Sequence, residues 1–187
     1  MGNEIVVGLF TLAGTLLGYL ANYGVERLRA TNDKKNYISN VKFDVEIQVY
    51  KELSKSFCDM VREISTIIPI GLVSVPLFEN QDDQMKYDQK MYNLAVEVVV
   101  KAQNCLRSNI PFISSDFYNK YNELIVLCRK QLNAFERRWN YSFSGTYEEK
   151  SRLDIKEYNR TEEINTRFSE LNNQVREYLN NLEVKEK

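Results

Sequence analysis

The sequence predicts an all-α protein: a single N-terminal transmembrane helix followed by a cytoplasmic bundle of about four long helices. Three observations predict it. Residues 5–25 carry no charge and include Leu9, Phe10, Leu12, Leu16, Leu17 and Leu20. Beyond them the chain is polar and charged, with Gly71 and Gly145 as its only glycines and Pro69, Pro76 and Pro111 as its only prolines, so long helices meet few breakers. Within that remainder the apolar residues recur at spacings of three and four, the period of a helix buried on one side.

The first element is the span. At ~1.5 Å per residue, residues 5–25 reach roughly 30 Å, the thickness of a bilayer's hydrocarbon core. Met1-Gly2-Asn3-Glu4 offers no Lys or Arg for the positive region of a cleaved signal peptide. Val6 stands where a myristoylation signal requires Ser or Thr. Arg27, Arg29, Lys34, Lys35 and Lys42 follow the run, and this basic bias predicts a single pass with the N-terminus outside and the body in the cytoplasm. Residues 1–30 are thus expected to form an anchor that also serves as an oligomerisation or pore helix, and residues 31–187 one helical-bundle domain.

The run has two faces. At about 100° per residue, Gly8, Thr11, Thr15, Gly18 and Asn22 share a narrow stripe with Gly14 beside it, and Glu4 and Glu26 extend it at either end. Leu9, Leu12, Leu16, Leu20 and Tyr23 occupy the opposite arc, as suits lipid contact. Two readings of the stripe stay open. Small residues such as Gly14 and Gly18 permit close helix packing, with Thr and Asn hydrogen-bonding across the seam. Alternatively the stripe lines a pore, with Glu4 and Glu26 forming acidic rings at the mouths of a symmetric oligomer. Either reading calls for other helices, most simply further copies of this one.

In the body, Phe43, Ile47, Tyr50, Phe57, Val61, Ile64 and Ile68 predict a helix over 41–68, ended by Pro69 and Gly71. The acidic pair Asp82-Asp83 suits the start of a second helix running to about Arg107, with Met85, Met91, Leu94, Val98, Ala102, Cys105 and Leu106 inward. Ser114 or Ser115 caps a third, reaching about Asn140 and burying Phe117, Tyr121, Leu124, Cys128, Leu132, Phe135 and Trp139. A loop around 142–145 precedes the fourth, expected over 146–182, whose Ile164, Phe168, Leu171, Val175, Tyr178 and Leu182 form a heptad seam. That seam packs inside the bundle or joins subunits.

The 25 basic and 26 acidic residues nearly balance and give no global attraction to nucleic acid. The chain has no histidine, which removes the commonest general base and Ser-His or Cys-His nucleophile pairs. Cys58, Cys105 and Cys128 lack C-x-x-C spacing and are read as buried, reduced thiols on three apolar stripes. No phosphate-cradling glycine loop is present. The acidic pairs Glu148-Glu149 and Glu162-Glu163 point about 100° apart on a helix and share no site. An enzyme is therefore not expected, nor a catalytic residue, a metal or a cofactor. The candidate ligand contacts are Arg129, Lys130, Arg137, Arg138 and Trp139, where guanidinium groups could hold phosphate and an indole could stack on a base.

The N-terminal span combined with Phe43-Asp44-Val45-Glu46-Ile47, Tyr50-Lys51-Glu52-Leu53-Ser54-Lys55, Ile110-Pro111-Phe112-Ile113 and Phe135-Glu136-Arg137-Arg138-Trp139 resembles small membrane proteins of bacterial anti-phage defence operons, in particular the membrane effectors of the Hailong system. This resemblance is one of overall layout and carries no catalytic or ligand residue across. It implies a tetrameric ion channel in the bacterial inner membrane, closed until a nucleotide or oligonucleotide made by a nearby nucleotidyltransferase binds the cytoplasmic body. A scaffold that recruits a soluble partner to the membrane is the alternative.

Overall fold

The structure is a computed structural model describing residues 2–70, 76, 78–140, 143, 145, 146, 149 and 152–184; the side chains of residues 2–21, 34–40, 183 and 184 are not among those described. Among the described residues the regular structure is helical, with no strand: α1 (Gly2–Ile67), α2 (Gln81–Ser108), a 3-10 turn (Ile110–Phe112), α3 (Ser115–Glu136) and α4 (Ile155–Val184). The chain divides into two units, Met1–Asp44 and Val45–Lys187. Helix α1 contributes to both.

Among the described residues no helix is long and apolar enough to cross a membrane. The expected span at 5–25 lies largely outside them, because the side chains of residues 2–21 are not described. In the part of the first unit that is described, Asn22, Tyr23, Val25, Glu26 and Leu28 are exposed. The Thr31 hydroxyl donates to the Arg27 carbonyl one turn back (2.8 Å).

The second unit is the expected bundle. Tyr50 of α1 meets Phe117 of α3, and Phe57 meets Tyr121, so α1 and α3 run in the same direction. Glu46, Ser54 and Ser65 of α1 pair with Tyr178, Asn172 and Asn165 of α4, in reverse order. Helices α3 and α4 also oppose each other, with Glu123 against Arg167 and Gln131 against Thr161. Helix α2 opposes α3 as well, with Gln103 against Arg129 and Asp88 against Arg138 just past its end, so the arrangement is up-down-up-down. The core is filled by Tyr50, Leu53, Phe57, Met60 and Ile64 of α1 together with Tyr121, Leu124, Ile125 and Cys128 of α3. Helix α2 buries mostly small side chains, Ala95, Val99 and Ala102.

Helix starts follow their local chemistry. The Asn80 side chain accepts from the Asp83 N–H (2.8 Å), with Asp82 and Asp83 in the first turn of α2. Ser114 accepts from the Phe117 N–H at the head of α3. At α4 the Asp154 N–H donates to the Glu157 carboxylate (2.8 Å), half of a capping box.

Four expectations need correction. The last helix begins at Ile155 and not at 146: Thr146 and Glu149 cap one another reciprocally, a start signal the sequence carries nine residues before the helix that enters the core. Leu94 is exposed, because the inward stripe of α2 is Asp88, Ala95, Val99, Ala102 and Leu106, turned by one residue from the expected one. Cys58 is exposed, Cys105 half-buried and Cys128 buried, so only one of the three thiols is a core residue. Helix α3 ends at Glu136, and Trp139 follows in a turn, half-buried.

Candidate functional site

The polar chemistry of the bundle gathers where the end of α3 meets α2 and α4. Gln131 and Thr161 are fully buried, and the Gln131 amide donates to the Thr161 hydroxyl (2.6 Å) and to the Glu157 carbonyl (2.7 Å). The Thr161 hydroxyl donates in turn to the Ile68 carbonyl just past the end of α1 (2.9 Å), and Arg160 donates to the Gln131 side-chain oxygen (2.8 Å). A buried network is an asset only when its members are satisfied, and this chain of bonds ties three helices together.

Two buried carboxylates flank that network. Glu157, whose N-terminal position on α4 favours its negative charge, lies 3.7 Å from Arg137 and 3.9 Å from Lys156. Asp88 accepts from Gln84 (3.0 Å) and lies 3.0 Å from Arg138. The Arg138 guanidinium also sits over the Phe135 ring, 5.1 Å from its centroid. The Trp139 and Tyr92 rings are 5.1 Å apart, and burial, followed by the neighbouring Glu136 carboxylate, raises the Tyr92 phenol above its ordinary range.

The five candidate ligand residues therefore do not form one open cradle. Arg129 and Lys130 are exposed, and Arg129 donates to Gln103 on α2. Arg137 and Arg138 face Glu157 and Asp88, and Trp139 packs on Tyr92. Of the eight residues of the small and polar stripe, Glu4, Gly8, Thr11, Gly14, Thr15 and Gly18 lie outside the described side chains, while Asn22 and Glu26 are exposed. A Cβ built on nearby Gly24 would meet nothing within 4 Å, so this glycine answers no close approach within the chain.

A groove of about 320 Å³ between α3 and α4 is lined by Lys120, Glu123, Arg167, Glu170 and Gln174. Its cations are already engaged: Arg167 pairs with Glu123 (3.0 Å) and Glu163 (2.8 Å), and Lys120 with Asp116 (2.6 Å). Among the described residues no group of three His, Cys, Asp or Glu side chains is placed to hold a metal ion.

Sequence reasoning passed over Asp88, Gln131, Glu157 and Thr161. Sequence signals exist for two of them, Glu157 and Gln131. Asp154 and Glu157 stand three apart at a helix start, the spacing of a capping pair. Gln131 lies three residues after Cys128, on the inward stripe of α3.

Removing the Arg138 guanidinium leaves Asp88 buried with a weakened set of partners. Arg138→Ala is expected to cost about 3 kcal/mol, read by urea unfolding of the full chain through Trp139, its one tryptophan. Adding Asp88→Ala should return part of that loss, since no buried carboxylate is then left without its guanidinium partner at this place. A loss below about 0.5 kcal/mol would place this pair among surface salt bridges.

No protein-family model matches the chain, nor does any curated protein or solved structure.

Proposed function

We propose that this protein is a homo-oligomeric inner-membrane effector of bacterial anti-phage defence, in which the N-terminal helix forms a gated ion path and the helical body receives a nucleotide or oligonucleotide signal. The observation that carries this reading is the charge-free run of residues 5–25 with Gly8, Thr11, Thr15, Gly18 and Asn22 on one side. An isolated span in lipid has no use for a stripe of small and polar groups, and an intramembrane Asn is costly unless it meets a partner or water. The basic residues after the run support a cytoplasmic body. The body's helical bundle suits a sensing role, since a ligand that binds one arrangement of packed helices more tightly than another shifts the population toward it. The resemblance to anti-phage membrane effectors supplies the nucleotide signal and the tetramer.

One observation favours a passive anchor that recruits a soluble partner: Arg137 and Arg138 face Glu157 and Asp88, so they offer a phosphate no uncommitted guanidinium.

Planar-bilayer conductance of the full chain separates the two. With candidate nucleotides on the cytoplasmic side, discrete currents are expected from the native chain. They should be lost in Thr11→Leu/Thr15→Leu/Asn22→Leu, while that variant still fractionates with membranes. Oligomers that stay silent with every ligand tried would sink the channel and leave the anchor.

A further inference from the structure

The apolar seam of α4 does not by itself fix the helix's position in the bundle. Ile164, Phe168, Leu171, Val175, Tyr178 and Leu182 recur at spacings of four and three, so the pattern repeats every seven residues. Sliding α4 by seven residues, roughly 10 Å along its axis, would set Leu171 where Ile164 packs and Val175 where Phe168 packs. The same six side chains would still line the seam. Hydrophobic burial alone therefore separates the two positions poorly.

Continued toward the start of α4, the same spacing reaches Thr161 and then Glu157, and both are buried. The inward stripe of α3 behaves alike: Phe117, Tyr121, Leu124, Cys128, Gln131 and Phe135 stand four and three apart, and one of them is an amide, fully buried. Gln131 and Thr161 thus meet at seam positions, where apolar residues would continue either pattern. All the bonding capacity of the amide depends on this alignment. Its nitrogen donates to Thr161 Oγ1 (2.6 Å) and to the Glu157 carbonyl (2.7 Å), while its oxygen accepts from Arg160 (2.8 Å). Thr161 donates its own hydrogen to the Ile68 carbonyl (2.9 Å), which carries the alignment to the end of α1.

We propose that Gln131 and Thr161, with Glu157 one turn away, form a register key that admits α4 to the bundle in one axial position and excludes the position seven residues along. In the shifted position Phe168 would replace Thr161 and Ile164 would replace Glu157. The Gln131 amide would then be buried without an acceptor, the Ile68 carbonyl would lose its hydroxyl, and Arg137 would lose the carboxylate that lies 3.7 Å from it. A single polar residue in a coiled-coil seam sets alignment in the same way, at some cost in stability. The key lies wholly within the second unit and is independent of the membrane reading.

Disulfide trapping in the full chain, with the exposed Cys58 replaced by Ser, tests it. Ser65 of α1 lies against Asn165 of α4, 2.9 Å from Oγ to Nδ2, so Ser65→Cys/Asn165→Cys reports the native position. Asn172 stands seven residues further on, so Ser65→Cys/Asn172→Cys reports the shifted one. With Gln131 and Thr161 in place only the first pair should close. Adding Gln131→Met/Thr161→Val makes that level of the core apolar. The chain should then keep its helicity and a urea midpoint at least as high as before, and the second pair should close in a yield comparable with the first. Closure through position 165 alone in that variant would overturn the key. So would loss of its helical structure, because the network would then supply stability and not choose a position. Closure through position 172 with Gln131 and Thr161 intact would overturn it equally.

Discussion

Phe57→Ala is expected to lower the stability of the bundle by about 4 kcal/mol, a large part of the 5–15 kcal/mol that holds a typical domain together. Phe57 is fully buried, and its ring lies 4.6 Å from that of Tyr121, joining α1 to α3. Truncation removes the transfer free energy of the ring and leaves a cavity. The buried neighbours Leu53, Met60 and Ile64 are large and closely held, so the cavity closes only in part. Phe57→Leu should recover more than half of the loss. Cys58→Ala, one residue along but on an exposed position, should change stability by less than about 0.5 kcal/mol. Urea unfolding followed through Trp139 measures all three, and a Phe57→Ala loss below about 1 kcal/mol would mean that the α1–α3 seam is not the centre of the core.

The bundle was legible because helix periodicity and capping chemistry are local. The inward residues expected of α3 from Phe117 to Phe135 are buried, and Ser114 caps that helix as expected. Errors arose where a local signal was sound but incomplete. Thr146 and Glu149 form a real capping pair, yet the helix that supplies Ile164, Leu171 and Val175 to the core starts at Ile155. In α2 the bulky Leu94 and the run Val98-Val99-Val100 leave the inward face ambiguous by one residue, and the helix packs through Ala95 and Val99 together with the expected Ala102 and Leu106. Small residues let helices approach closely, and a pattern read by hydrophobicity undervalues them.

The candidate site was the least legible part. Arg137, Arg138 and Trp139 are adjacent in sequence, which suggested a single ligand surface. Successive residues at a helix end point in different directions, and these three meet Glu157, Asp88 and Tyr92 respectively. Their partners come from helices distant in sequence, so only the tertiary fold could pair them. Asp88 in particular looks like an ordinary surface acid until the packing closes over it.

The same burial predicts a steep loss of stability in alkali. Cys128 lies deep in α3, and burial pushes its thiol from the ordinary 9.0 up to about 12. Burial, then the nearby Tyr50 and Cys105, hold the Tyr121 phenol well above its ordinary 10.0. In both cases the folded chain keeps a proton that the unfolded chain gives up. Their contribution is therefore complete below the unfolded values and is lost as pH rises through the window between unfolded and folded values. Between pH 9 and 10 Cys128 acts together with the Cys105 thiol, which burial also raises, and stability should fall by at least about 1 kcal/mol per pH unit. Above pH 10 Tyr121 joins them, with Tyr50, Tyr92 and Tyr178, whose phenols burial also raises, and the slope should exceed about 3 kcal/mol per unit, enough to unfold a domain of ordinary stability before these groups ionise in place. Urea midpoints of the full chain measured across this range read the slope directly. Cys128→Ala should make the segment between pH 9 and 10 shallower while leaving the steeper one, whereas a native chain equally stable at pH 8 and pH 11 would mean that none of these groups is shielded from water.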